Sequence, residues 1–311
     1  MSTDKNNKKA NHLMIWNVLK WAPSEKQLDQ FIHLQELLKE WNKKTNLTRL
    51  VNGDDFWTAQ VCDSLLPLHG ELQRPELSHK YIDIGSGCGF PGIAIAIAMP
   101  NSNITLLDSS SKKTIFLKEV SKEIGLNSRI TVVTARAETA GRDQILRSNF
   151  DYAIARAVAS ANVVAEYLVP FLNSKGQALI FKGGWSDAEH HILKKGLTEL
   201  NAEIARTHKF ELPNNRGIRN IIRISSIDKC PNQYPRSIGK PKKQPLGYYI
   251  PHNLSLLSPP NLSFKFLSIK GISELHGLLI KTFFKSSSLT SQSKQSAFEP
   301  GNQCPPLPKR P

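Results

Sequence analysis

The chain has 311 residues, 40% of them hydrophobic, and a formal net charge of +15. This length allows one large or two small domains, and the uncharged run over residues 84–107 is broken by glycine and proline, which excludes a membrane span of roughly 20 apolar residues. The four cysteines lie far apart without metal-ligand spacing, so we expect no metal site and no disulfide framework, in a cytoplasmic protein that makes no use of a membrane.

The first part of the chain, residues 1–79, is predicted to be a helical extension that packs on the domain after it. Pro23 and Ser24 are a helix start signal, and the apolar residues from there to Trp41 recur at helical spacing. A second helix is predicted over about 54–68.

Residues 80–228 alternate between strands and helices and are predicted to form the core domain. The predicted strands are 80–84, 103–107, 129–133, 150–155 and 176–181, and the predicted helices are 91–98, 111–124, 160–172 and 186–200. Such alternation indicates a parallel sheet covered on both faces, that is, an α/β fold with a doubly wound sheet. The last two extended runs, 202–212 and 217–227, are joined by PNNR and predict a terminal hairpin.

The end of the chain changes composition twice. Residues 229–247 are rich in proline and lysine and are predicted to be a basic closing arm. Residues 248–311 contain eleven serines, eight prolines and only two acidic residues, so we expect most of this tail to be disordered, with at most one helix between about 262 and 284.

The stretch YIDIGSGCGFPGIAIAIAMP has the pattern of a strand, a glycine-rich turn and a helix, and it allows two ligands. The glycines from Gly87 to Gly92 spell G-x-G-x-x-G, which is typical of dinucleotide-binding proteins. Asp83 and the glycines after it also spell D-x-G-x-G-x-G, which is typical of enzymes that bind S-adenosylmethionine. The spacing of the glycines alone does not decide between them.

Three neighbouring residues favour S-adenosylmethionine. Asp83 would face a cationic ammonium group or orient the turn, but it would repel a pyrophosphate. Pro91 lacks an N–H that a phosphate would need. Asp108 ends the next strand, where it can accept hydrogen bonds from ribose hydroxyls. A nicotinamide-dependent oxidoreductase stays open as an alternative at this point.

Several motifs in register resemble one known family. These are WNKKTNLTRL, CDSLLPL, the glycine turn, LLDSSSKKTIFLKEV, TARAE, YAIARAVAS, FKGG and YPRSIGKPKKQPLG, which together span about residues 24–247. Their order resembles that in the RsmG (GidB) family of bacterial 16S rRNA methyltransferases. The resemblance implies a class I, Rossmann-like methyltransferase fold, S-adenosylmethionine as methyl donor, and transfer to N7 of the guanine at position 527, standard numbering, in the 530 loop.

The resemblance also implies the site residues. The predicted cofactor-binding residues are Asp83, Gly85, Gly87 and Phe90 at the turn, Asp108, Ser109 and Ser110 at the ribose, Ala137 and Glu138 beside the adenine, and Arg156 at the methionine end. Candidates for positioning the substrate are Arg156, Lys182 and Asn46. No acid–base residue is predicted, since guanine N7 carries a lone pair and no proton.

Simpler interpretations of four of these residues stay open. Asp83 could cap the helix start, and Asp108 could be an ordinary turn residue at a strand end. Arg156 could pair with a surface carboxylate, and Lys182 could be a solvated lysine.

The net charge bears on the partner. Residues 1–247 already contain 34 Lys and Arg against 24 Asp and Glu, so the basic excess is not confined to the tail. This favours a polyanionic partner, most simply nucleic acid. The family resemblance implies that this partner is 16S rRNA or the small ribosomal subunit, and we expect the enzyme to be a monomer. An RNA-binding protein that keeps the fold without catalysis is a second alternative.

Overall fold

The computed structural model describes residues 14–248 of the chain. The expected disordered tail, with its short helix at 262–284, lies outside the described residues apart from Tyr248. Within residues 14–248, no helix has both the length and the apolar character needed to cross a membrane.

The N-terminal region begins with a helical segment at 14–19, followed by helix α1, Glu25–Thr45. The side chain of Ser24 accepts the N–H of Gln27, and the side chain of Gln27 accepts the N–H of Ser24, so each satisfies a donor that the first turn leaves unpaired. The helix ends at Asn46, whose backbone is left-handed. The predicted first helix is therefore confirmed.

The second predicted helix, 54–68, is instead a chain of short segments. They are Gly53–Phe56, the π-helical Trp57–Cys62, Asp63–Leu65, the 3-10 turn Leu66–Leu68, and His69–Leu72. Two local features explain the breaks. The hydroxyl of Ser64 donates to the carbonyl of Gln60 at 2.5 Å, and Pro67 has no N–H to continue an α-helical ladder.

The core is a sheet formed by strands between residues 80 and 226. The strands are β1 Lys80–Ile84, β2 Asn103–Asp108, β3 Ile130–Thr134, β4 Phe150–Arg156, β5 Leu172–Lys182, β6 Ala202–Glu211 and β7 Ile218–Ser226. They form one seven-stranded sheet in the order β3-β2-β1-β4-β5-β7-β6. The first five strands are parallel, and β7 is antiparallel to both β5 and β6. This confirms the expected mostly parallel sheet with a terminal hairpin.

Helices cover both faces of the sheet. They are α2 Gly92–Ala98, α3 Ser111–Glu123, α4 Ala161–Leu168 and α5 Asp187–Glu199, with shorter segments at Ala137–Ala140, Val169–Phe171 and Lys240–Lys243. The N-terminal helices, α2 and α3 share one hydrophobic core, and α4, α5 and part of residues 229–247 share the other. The helix predicted at 160–172 ends earlier, at Leu168, because Pro170 lies in a 3-10 turn that leads into β5.

Candidate active site

Two adjoining cavities open at the edge of the sheet where its parallel strands end. The first has a volume of about 310 Å³ and the second about 550 Å³, and Gly85, Lys113 and Ala157 line both. This edge includes the switch point of the sheet, where β2 and β4 run on opposite sides of β1. Open α/β sheets bind their ligands at such a point.

Asp83 lies beneath the glycine turn and lines neither cavity. Its side chain is 1% exposed, and Oδ2 accepts the N–H of Gly92 at 2.9 Å at the start of α2. Burial raises the pKa of this carboxyl to about 7, against the opposing effects of the Gly92 N–H and the Arg156 charge. The contact agrees with the interpretation that Asp83 caps the helix and orients the turn.

Asp108 joins the glycine turn to the end of β2. Its Oδ2 accepts the N–H of Gly87 at 3.0 Å, and its Oδ1 accepts the N–H of Ser110 at 2.9 Å. Asp108 and Ser109 line the first cavity, whereas Ser110 lines neither cavity. The carboxylate therefore fixes two loops and also faces the cavity.

Glu138 is a buried carboxylate on the wall of the first cavity, next to Ala137. Oε1 accepts the N–H of Gly239 at 3.0 Å, while Oε2 is buried and has no hydrogen-bond partner within residues 14–248. Burial by itself would raise the pKa of Glu138, but the backbone N–H groups of Gly239 and Glu138 and the charge of Arg136 hold it below its ordinary value. An ionised oxygen without a partner fits a ligand that donates a hydrogen bond.

The second cavity is built around a buried ion-pair cluster. Asp63, which is 0% exposed, accepts hydrogen bonds from Nη1 of Arg156 at 3.0 Å and from Nε and Nη2 of Arg219 at 2.6 and 3.0 Å. Arg156 also donates to the side chain of Gln60, and its guanidinium carbon lies 6.0 Å from the centre of the Phe90 ring. Arg156 thus pairs with a buried carboxylate rather than a surface one.

The other predicted substrate residues differ in placement. Lys182 lines the second cavity, and its Nζ is also 2.8 Å from Oε1 of Glu189. Asn46 lines neither cavity, although its neighbours Leu47 and Thr48 line the second.

Three charged residues of the second cavity were not among the predicted cofactor-binding or substrate-positioning residues: Asp63, Lys113 and Arg219. A carboxylate inside the apolar run CDSLLPL, and an arginine inside the apolar strand GIRNIIRISSI, each require a buried partner. The sequence therefore indicates that Asp63 and Arg219 each need a buried partner, but it does not indicate that they pair with each other.

The second cavity has an excess of basic residues. Four basic residues, Lys113, Arg156, Lys182 and Arg219, line the second cavity against one carboxylate, Asp63. This excess suits a group with phosphate oxygens, which guanidinium and ammonium groups bind well. Among the residues that the structure describes, no cluster of three or more His, Cys, Asp or Glu side chains could hold a metal ion.

A sequence profile of the GidB family, described as rRNA small subunit methyltransferase G, matches residues 27–220. A Ribosomal RNA small subunit methyltransferase G from Prochlorococcus marinus strain NATL1A is 86% identical over 248 residues, 80% of this chain and 100% of that protein. One from Parasynechococcus marenigrum strain WH8102 is 50% identical over 232 residues, 75% of this chain and 94% of that protein. The solved ribosomal protein L11 methylase of Lactobacillus delbrueckii subsp. bulgaricus matches 55% of this chain and 79% of its own, with 18% identity and a TM-score of 0.40.

Proposed function

The chain belongs to the RsmG (GidB) family of rRNA small subunit methyltransferases, and from this premise we propose that it methylates N7 of the guanine at position 527, standard numbering, in the 530 loop of 16S rRNA. The proposed methyl donor is S-adenosylmethionine, and the proposed enzyme is a monomer that acts on the small ribosomal subunit in the cytoplasm. Family membership and the class I methyltransferase fold favour this function over the nicotinamide-dependent alternative.

The observation that carries the proposal is the pair of adjoining cavities with Gly85 between them. The first cavity fits the donor. The unpartnered Oε2 of Glu138 would accept a hydrogen bond from the adenine amino group, and Asp108 would accept hydrogen bonds from the ribose. When bound, S-adenosylmethionine supplies an electrophilic methyl group on a positively charged sulfur.

The second cavity fits a guanine nucleotide. The guanidinium groups of Arg156 and Arg219 can donate to guanine O6 or to phosphate oxygens, and the ring of Phe90 offers an apolar surface. Asp63 fixes the orientation of both arginines, so their donors are held in place before the substrate arrives.

These residues have to position the guanine rather than remove a proton from it, because N7 attacks with an in-plane lone pair. Holding the two reacting atoms in line can supply several kcal/mol of the barrier. The base has to leave its stack to enter the cavity, which suits a loop of a structured RNA.

Incubation of the full chain with methyl-labelled S-adenosylmethionine and unmodified small subunits tests the proposal. We expect label at N7 of that guanine, mapped by cleavage at the modified nucleotide, and no label in subunits already modified there. Label at another nucleotide would contradict the proposed position. Binding of subunits without transfer would support the non-catalytic alternative.

A further inference from the structure

The closing arm, residues 229–247, forms part of the wall of the first cavity. It contains five basic residues and no acidic one. Gly239 of the arm donates its N–H to Glu138, and Lys242 of the arm lines the cavity itself. The arm therefore belongs to the candidate cofactor site, although its composition is that of a nucleic-acid contact.

Two buried side chains of α4 fix the arm on either side of Lys242. Glu166, which is 0% exposed, accepts hydrogen bonds from Nε and Nη2 of Arg236 at 2.8 and 2.6 Å. Asn162 donates from Nδ2 to the carbonyl of Leu246 at 2.6 Å. Because both ends of the segment are tied to one helix, the backbone of Lys242 is held beside the cavity.

Within the part of the chain that the structure describes, no carboxylate pairs with Lys242. Glu166 balances the charge of Arg236, but Lys242 is exposed and makes no ion pair with any residue between 14 and 248. Lys113, whose side chain is 42% exposed and whose Nζ lies 3.9 Å from Oδ2 of Asp108, lines both cavities and adds a second cation. S-adenosylmethionine carries an ammonium and a sulfonium against one carboxylate, so two exposed lysines at the opening suit a polyanion better than this cofactor.

We propose that Lys242, together with Lys113, contacts the phosphate backbone of the RNA substrate across the opening of the first cavity, so that bound RNA closes the cavity over the cofactor. This inference rests on the proposed function. It requires an order of events: S-adenosylmethionine binds before RNA, and S-adenosylhomocysteine leaves only after the methylated RNA. The arm itself does not have to move, because the backbone of the bound RNA closes the opening of the first cavity.

The test measures how fast labelled S-adenosylhomocysteine leaves the full chain during a chase with excess unlabelled ligand. The release rate is compared with and without saturating small subunits. We expect the subunits to slow release from the wild type about tenfold. Lys242→Ala is expected to lose most of this slowing. Lys243→Ala removes the same charge from the same helical turn but does not line the cavity, so it is expected to keep the slowing.

Two results would overturn the inference: a wild-type release rate that saturating subunits leave unchanged, or equal slowing in Lys242→Ala and the wild type. Methyl transfer to unmodified subunits is measured with the same preparations. Transfer without slowing rejects only the closure by RNA. Absence of transfer rejects the proposed function, and this inference with it.

Discussion

Two buried aspartates at the site have different hydrogen-bond partners. Asp63 accepts hydrogen bonds from the guanidinium groups of Arg156 and Arg219. Asp83 receives the N–H of Gly92, but its Oδ1 has no hydrogen-bond partner within residues 14–248, and burial raises its pKa to about 7. Asp63 therefore orients two arginine side chains, whereas Asp83 holds the glycine turn and has a pKa of about 7.

Asp63→Asn is expected to lower the free energy of unfolding by about 3 kcal/mol, because a neutral amide leaves two partly buried guanidinium groups without a counter-charge. Urea denaturation measures this loss. Asp228→Asn is the matched control: Asp228 is exposed, and its substitution is expected to change stability by about 0.5 kcal/mol or less. Equal stability of the two variants would contradict the assigned role of Asp63.

Asp83→Asn is expected to change how stability depends on pH. Because the folded state raises the pKa of Asp83 from 3.8 to about 7, the folded wild type keeps a proton that the unfolded chain releases. This contribution to wild-type stability is fully present below pH 3.8 and is lost as the pH rises through about 7. The wild type should therefore lose stability relative to Asp83→Asn over this range.

Urea denaturation at several pH values tests this expectation. Asp83→Ala serves as the second variant, because it removes the acceptor for the N–H of Gly92 as well as the titrating group. It should be less stable than Asp83→Asn at every pH. Parallel stability curves for the wild type and Asp83→Asn would show that Asp83 does not titrate in this range.

At the residue scale, the site residues next to strand ends could be predicted from the sequence, but the Asp63–Arg219 pair could not. Gly85 follows β1 and Asp108 is the last residue of β2, so the strand pattern alone predicts that both lie at the same edge of the sheet. Asp63 and Arg219 are separated by 156 positions and lie on a short helical segment and on the last strand. The apolar sequence around each residue indicates that it needs a buried partner, but only the folded structure identifies that partner.

At the scale of elements, the regular part of the core was predictable. The first four strands lie within one residue of their predicted ends, because each is a short run rich in apolar residues. Strand β5 begins at Leu172, before its predicted start at residue 176. The sequence did not predict this start because the residues after Leu172 are polar and the pairing with β4 has an irregular register after Phe150. Such an irregular start has no alternating sequence pattern.

The turn between β1 and α2 gives a prediction with a matched control. Gly85 has φ +75°, and a Cβ there would lie 2.8 Å from Cγ2 of Val158. Gly125, after α3, has φ +69° but no atom within 4 Å of such a Cβ. Both alanine variants should lose about 1 kcal/mol of stability from the left-handed backbone, but only Gly85→Ala should weaken cofactor binding, because only Gly85 lines the cavities.

Calorimetric titration with S-adenosylmethionine measures this difference. We expect Gly125→Ala to bind like the wild type and Gly85→Ala to bind at least about tenfold more weakly, a loss of about 1.4 kcal/mol. Wild-type affinity of Gly85→Ala would mean that the turn is not part of the cofactor site.

At the scale of the whole molecule, the described parts of the site lie within residues 14–248. They include the lining of both cavities and the side chains that anchor the closing arm. The alignment with the Prochlorococcus marinus relative covers that whole protein but leaves about a fifth of this chain without a counterpart. Residues 248–311 contain seven basic and two acidic residues, so a contribution to ribosome binding is the competing role for this segment.

A chain that ends after Tyr248 is expected to melt and to methylate small subunits like the full chain, because it keeps every cavity-lining residue that the structure describes. A chain that ends after Gln244 is the matched control. It loses Leu246, which is 5% exposed and accepts the hydrogen bond of Asn162, so its melting temperature should fall by about 5 °C or more. Calorimetry and methyl transfer at limiting subunit concentration separate the roles of the last segment. Unchanged melting with much weaker transfer in the longer truncated chain would assign ribosome binding to the segment, and a large fall in its melting temperature would place part of the folded domain beyond Tyr248.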